Sequence, residues 1–537
     1  MNWKIVTLII LSSALSYAQD TKKTNPNVEL PDFVITGKEV ISVEKAKKIP
    51  PDFVSVLSPE FIRPSYSPEE LALKEFPNPL KNNLNLFDTL SYNNGWLEGG
   101  IGSYYLPEVK LTYSSPFTNG IFEGRLGALN QRAYVKNSEK YIFNGGATLY
   151  YFINSSLSAF EGMKLKLNGN LATSGFKLYG AALNPDTKRV MNTGDFSFTL
   201  NNFSGSEFLF NFEFSDELAA LDKPNFSENL FGFSGFMQAN FSAFNLGLKA
   251  DYKRQFILNE LQNNSEYYFV NIRPTAGLDL SDVLRIQVGI SYSQDGNNST
   301  SAPYASAALH INKELTLFGE FAPDAEFLTE NYFIRVNPYL NTGSVTHIFF
   351  EKTNVLSAVL KYEYGTYFEI DGGIKYFAAD SIPVFALNML DGTFNIVKLK
   401  GSSVAGFINM LFHLGPYGIF YGTAQLEDAR DEFNNVLPYH PKGTASLKYN
   451  YEFKMGLGTG ASLYYSSDFL GARTFADSIS TKTLDSYIDL GLNFSYKLTP
   501  GFILTLDVNN LLNHDNFKWP EYKEFPLNVI GGIKFNW

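Results

Sequence analysis

Few side chains in this sequence are of the types, and at the spacings, that make or break bonds. The five histidines, His310, His347, His413, His440 and His514, are scattered, and none stands in the His-x-Glu-x-His or His-Glu-x-x-His register that gathers metal ligands on one face. No Gly-x-Ser-x-Gly elbow occurs, and the cysteine count of 0 removes thiol catalysis, thiolate metal sites and disulfides. The run Glu427-Asp428-Ala429-Arg430-Asp431-Glu432 offers oxygens that calcium could use, but charge runs of this kind are more often solvated loop. The expectation is a protein that is not an enzyme and carries no cofactor or metal.

Binding chemistry is more legible. Leu30-Pro31-Asp32-Phe33-Val34-Ile35-Thr36-Gly37 is a short extended stretch of the kind that adds a strand to the edge of a partner's sheet, where main-chain hydrogen bonds supply the affinity. It lies just beyond an export signal. Lys4 is the positive n-region, Ile5 to Leu15 the apolar run, and Ser16-Tyr17-Ala18 the small-x-small cleavage site. That run is far short of the ~20 residues needed to cross a bilayer, so residues 1–18 read as a cleaved signal peptide. Residues 19–94 are rich in proline and lysine with little periodicity, and they read as an irregular periplasmic segment.

From Gly95 onward the text is period-two alternation. In Leu284-Arg285-Ile286-Gln287-Val288-Gly289-Ile290-Ser291-Tyr292 each apolar residue is followed by a polar or small one, a pattern that suits a strand and not a helix. The same pattern returns in Phe244 to Tyr252, Phe368 to Tyr376, Ala445 to Phe453 and Ile488 to Tyr496. These runs are about nine residues long, the length a tilted strand needs to cross hydrocarbon. The 48 Phe and 32 Tyr, with a mean hydropathy of -0.12, leave a soluble all-β protein or a membrane barrel. The net charge of -11 argues against nucleic acid as partner. In a barrel the apolar set meets outer-membrane lipid and the polar set lines the lumen, with aromatic pairs such as Tyr150 and Tyr151, Tyr464 and Tyr465, and Phe349 and Phe350 expected as interfacial girdles. The expected fold is an all-β transmembrane antiparallel barrel over residues 95–537 with about 22 strands, within a range of roughly 18 to 24. Its tight turns include Ser281-Asp282 and Thr499-Pro500-Gly501. The stretches 216–228, 263–266, 294–301 and 470–483 are expected as extracellular loops.

The chain closes on Leu527-Asn528-Val529-Ile530-Gly531-Gly532-Ile533-Lys534-Phe535-Asn536-Trp537. Val529, Ile533, Phe535 and Trp537 stand on one face of this last strand, whose terminal aromatic is a signal of the kind read by the barrel-assembly machinery. This ending, with Val508-Asn509-Asn510-Leu511-Leu512-Asn513 before it and Leu437-Pro438-Tyr439-His440-Pro441-Lys442 further upstream, resembles the late strands of the TonB-dependent outer-membrane receptors. The resemblance implies that Asp32, Phe33, Val34, Ile35, Thr36 and Gly37 form a TonB-box-like segment and that TonB is a partner. It also implies an unknown small-molecule substrate and an outer-membrane location. The departure from the family is the plug, because only 58 positions (95 minus 37) separate Gly37 from Gly95. Two functions follow: a transport barrel, including a plugless channel for small solutes, or a structural or partner-binding barrel of an envelope complex whose lumen is blocked by the N-terminal segment or by loops.

Overall fold

A computed structural model describes residues 94–537 apart from 154–162, 203–207, 260–261, 281–282, 366, 414–417 and 476–477. The signal, the stretch Asp32 to Gly37, nearly all of the 19–94 segment and the Ser281-Asp282 turn lie outside the described residues. Among the described residues are twenty-seven strands, from β1 (Gly95–Gly102) to β27 (Asn528–Asn536), and one helix, α1 (Glu330–Val336).

Twenty-five strands form one sheet, and the sheet closes on itself. β1 pairs antiparallel with β2 (Tyr105–Phe117) on one side and with β27 on the other, Trp96 opposite Asn536 and Gly102 opposite Ile530. Closure removes the two free edges that an open sheet would have, which is what hydrocarbon demands of a sheet. β13 (Leu315–Phe321) and β14 (Asp324–Thr329) both pair with β15 (His347–Tyr364) and are one wall strand interrupted at Pro323, which has no N–H to give the ladder. β21 (Phe469–Phe475) and β22 (Ser478–Leu484) form a hairpin inside a loop, while the strands before and after that loop, β20 (Leu457–Ser466) and β23 (Tyr487–Thr499), pair directly. The wall therefore has 22 antiparallel strands, the number the alternation predicts. The turn at 500–501 joins β23 to β24 (Phe502–Asn509) as expected.

The faces are sorted as a membrane barrel requires. Along β11 (Leu284–Gln294), Val288 and Ile290 are 52% and 60% exposed, whereas Ser291 and Ser293 are 2% and 1% exposed. In a soluble protein the apolar set would be the buried one; here the polar set is inside and the apolar set outside.

Three expectations are corrected. Residues 216–228 and 263–266 are mostly wall rather than loop: β7 (Phe208–Leu221), β8 (Phe226–Phe241) and β10 (Gln262–Leu280) run through them. The longest strands, β16 (Phe368–Asn388) and β17 (Thr393–His413), have 21 residues each. At ~3.3 Å per residue they far exceed the ~25 Å apolar band. Strand pairing continues past the band, so a polar stretch beyond it is not necessarily a loop. Phe349 and Phe350 form no girdle, because each packs against a buried cluster, on opposite faces of β15. The acidic run lies in β18 (Ile419–Asp431) rather than in a loop.

Candidate functional site at the loop end of the barrel

The chain crosses the wall up and down, so alternate connections gather at one end of the barrel, opposite the end that holds Gly95 and Trp537. At that end the connections fold inward on one another. The largest buried apolar cluster among the described residues lies there, built from Leu328, Phe333, Ile334, Leu340, Phe385, Phe394, Leu437, Trp519 and Tyr522 with the loop-end residues of the wall, including Leu221, Phe226 and Ile257. A wall strand buries one face against nothing but lipid, so these loops provide the packed interior that the barrel otherwise lacks.

Tyr522 is its hub. It belongs to a small hairpin, β25 (Phe517–Trp519) and β26 (Tyr522–Lys523), in the connection between the last two wall strands. Its ring is 1% exposed, stacks on Tyr339 at 3.8 Å and meets the edge of Tyr179 at 4.8 Å. Its hydroxyl donates to the Gly392 carbonyl. A Cβ at position 180 would stand 2.6 Å from the Tyr522 ring, which is why Gly180 is there. Trp519 fills the neighbouring space, with Phe385, Phe394 and Tyr439 at 5.0, 5.5 and 5.1 Å. The hydroxyls of Tyr134 and Tyr179 both donate to the Lys523 carbonyl, at 2.7 and 2.9 Å. Tyr179 follows the fifth wall strand, β5 (Met163–Lys177), and Gly392 follows the fifteenth, β16. In a ring of 22 strands these positions are almost diametrically opposed, so contact of both with Tyr522 means that the loops meet across the mouth.

Helix α1 is the second component of the cap. Thr329 caps its N-terminus by accepting the Tyr332 N–H. Phe333 and Ile334 are fully buried, while Arg335 reaches the inner wall and pairs with Asp195 at 2.7 Å and the Leu218 carbonyl at 3.2 Å. Arg189 ties the following segment to the wall through the Leu340 carbonyl at 2.7 Å. Glu330 is fully buried. It accepts the Gly343 N–H at 2.6 Å, and burial together with the neighbouring Glu228 pushes its carboxyl up to about 8. Glu228, also fully buried, accepts the Asn331 N–H at 2.8 Å. Burial raises the hydroxyls of Tyr339, Tyr179 and Tyr522 above their ordinary range and keeps them neutral donors.

The polar side chains named from sequence do not converge. His310 bonds Thr316, His347 pairs with Asp295, His440 with Glu427 and His514 with Asn516. Glu427 and Asp428 stand on opposite faces of β18, as neighbours in a strand must, and among the described residues no group of three or more acidic or histidine side chains could hold a metal. The terminal set does share a face: Val529, Ile533, Phe535 and Trp537 are all exposed on the outside of the closing seam. The cap itself went unread in the sequence. Its signal was apolar and aromatic residues inside connections, Tyr332-Phe333-Ile334 and Trp519-Pro520-Glu521-Tyr522, where a solvated loop has no use for them.

No family model matches the sequence, and no curated protein does. Solved structures do. The FrpB iron transporter from Neisseria meningitidis superimposes with a TM-score of 0.63 at 10% identity, over 84% of this chain and 82% of that one. The two chains share one barrel fold. The ferripyoverdine receptor of the outer membrane of Pseudomonas aeruginosa gives 0.62 at 12% identity, over 84% and 72% of the two chains. The ferric-catecholate import receptor Fiu from E. coli K12 gives 0.61 at 10%, over 83% and 82%. At such identities the likeness is one of receptor-barrel architecture, and function must be argued from the site.

Proposed function

We propose that the protein is an outer-membrane transport barrel whose outer mouth is held shut by its own loops, so that solute passage is gated rather than free. The observation that carries this reading is the convergence of segments from opposite sides of the wall on Tyr522. A permanently open diffusion pore has no use for an aromatic core across its entrance. Below the cap the inner wall carries a mostly polar hollow of about 240 Å³, lined by Lys375, Asn409, Thr423, Gln425, Ser446 and Tyr464 with Phe407 beside them, which suits a small polar solute. The iron transporters and siderophore receptors that share the fold support the transport class, and TonB, reached through Asp32 to Gly37, is the proposed source of force.

The test is conductance of the full chain in planar bilayers, before and after the cap is loosened by the pair Trp519→Ala and Tyr522→Ala, each with and without residues 40–94. The natural chain should stay silent and the cap variant should open in discrete steps. Silence of every form, once protease cleavage within 510–527 has shown the loops released, would overturn transport and leave a scaffold of an envelope complex as the reading.

A further inference from the structure

Above Pro323 the wall strand made of β13 and β14 leaves the ring. β12 (Ser299–His310) pairs with β13 only as far as Ala305, opposite Phe321, and β14 pairs with β15 alone. β14 has turned into the lumen. Asp324 accepts from Arg273 of β10 at 2.6 Å and from Ser291 and Ser293 on the inner face of β11, each at 3.2 Å. Phe327 stacks on Phe269 of β10 at 5.6 Å. The half of β12 from Ser299 to Tyr304 is therefore a sheet edge facing a break in the wall. His347, 3.4 Å from Asp295 in the turn between β11 and β12, bridges the break above, and the Ala305–Phe321 pair ends it below.

The ladder fixes which groups this edge presents. The His310 N–H donates to the Val283 carbonyl at 2.7 Å, so even-numbered residues of β12 turn their main-chain groups toward β11 and odd-numbered ones toward the break. Ser301 offers the break an N–H and a carbonyl, Pro303 a carbonyl alone, and no strand pairs with them. Both lips carry a proline, Pro303 on β12 and Pro323 ahead of β14, so the sequence itself denies the seam a full ladder. On the outer face Ser301 stands opposite Tyr292 and Pro303 opposite Ile290, which are 40% and 60% exposed. Tyr292 is the last ring of an outward row whose lower members are Val288 and Ile290, which sets the break at the step from interface to hydrocarbon on the loop side. Main-chain groups at that depth need a polar partner from outside the sheet.

A hollow of about 170 Å³ occupies the break. Thr300 and Ala302 face the lumen and Ser301 faces out, yet all three line it, as only a cavity that passes around a strand edge allows. Asp324, Glu351 and Lys352 line it as well, with charge of both signs. The wall thus carries a polar notch that joins its outer surface to the lumen below α1.

On the transport reading above, on which this inference rests, we propose that the notch is a side entrance for an amphipathic solute. The tail stays in the outer leaflet while the polar head passes between β12 and β14 into the lumen. Hydroxyl or amine donors on the head meet the Ser301 and Pro303 carbonyls and the carboxylates of Asp324 and Glu351. The loops shut the mouth, whereas the notch lies below them, so the head reaches the lumen without disturbing Tyr522. A partner's strand is not the occupant, since prolines on both lips remove donors that strand addition uses.

The chain has 0 cysteines, so single introduced thiols report position cleanly. The probe is a single-chain amphiphile with a maleimide at its head, added to vesicles holding the full-length protein. Thr300→Cys, on the lumen side of the notch, should react several-fold faster than Thr423→Cys, which faces the lumen away from it. Ala302→Phe, which fills the hollow, should bring the Thr300→Cys rate down to that of Thr423→Cys, and Ser301→Trp on the outer lip should do the same; heat-dependent gel migration confirms that each variant has folded. Equal rates at the two positions, or a Thr300→Cys rate untouched by either folded filling variant, would overturn the side entrance. Conductance of the loosened-cap variant would then still stand, leaving the transport reading intact. Tyr465→Cys, on the outer face and 40% exposed in the native ring, is the lipid-side reference, and its failure to react would overturn the membrane placement that the entrance requires.

Discussion

The ring of Tyr522 lies on the ring of Tyr339 with centroids 3.8 Å apart and planes 23° from parallel, although the two residues come from connections eight wall strands apart. The pair holds together two inserts, the β25–β26 hairpin and the segment after α1, that share no strand.

Tyr522→Ala should therefore loosen the mouth without dissolving the wall. Removing a fully buried aromatic costs about 3 to 5 kcal/mol, and here the loss falls on the loops, since wall hydrogen bonds do not pass through Tyr522. Limited proteolysis should cut within 510–527 at least tenfold faster, while heat-dependent gel migration, the mark of a closed barrel, stays unchanged. Loss of both would show that cap and wall fold as one unit.

The buried Glu330 gives the cap a pH dependence of definite sign. Its carboxyl is pushed up to about 8 in the closed cap from an ordinary 4.5, so the closed form holds the proton more tightly than the opened one. The stability it lends is complete below the opened-state value and is lost as pH rises through about 8. Hydrogen exchange over 330–346 should quicken between pH 5 and pH 9. Glu330→Gln, which mimics the protonated form, should flatten that response; an unchanged slope would assign it to another group.

Neighbours on one strand should respond oppositely to charge. Ile408 is 39% exposed on the outer face, whereas Asn409 faces the lumen and donates to Asp371 at 2.8 Å. Ile408→Arg should cost about 2 to 4 kcal/mol, as for a cation near the bilayer midplane. Asn409→Arg keeps a partner in Asp371 and should fold normally. Folding yield in lipid vesicles measures both, and a reversed order would turn the barrel inside out.

The N-terminal stretch is tested directly with a peptide spanning Val28 to Val40 and the periplasmic domain of TonB. Strand addition works through the main chain, so Ile35→Pro should abolish binding by deleting a donor, while Ile35→Ala should only weaken it. Calorimetry that shows no heat for the natural peptide would remove TonB from the mechanism and leave a barrel gated by its loops alone.

Strand direction, facing and closure were determined by the sequence itself, because they depend on local rules. Period two places Val288 and Ile290 on one face and Ser291 and Ser293 on the other wherever the strand goes, and a last strand ending in Phe535 and Trp537 needs a first strand to pair with. The length of the wall was less legible: residues 216–228 are polar because they leave the apolar band, and polarity cannot tell strand from loop outside lipid. The cap was decided only by tertiary structure. Tyr134, Tyr179, Tyr339, Gly392 and Tyr522 are separated by up to several hundred positions, with no periodicity linking them. Only closure of the wall, which brings connections from all around the ring to one mouth, gives their buried surface a common partner.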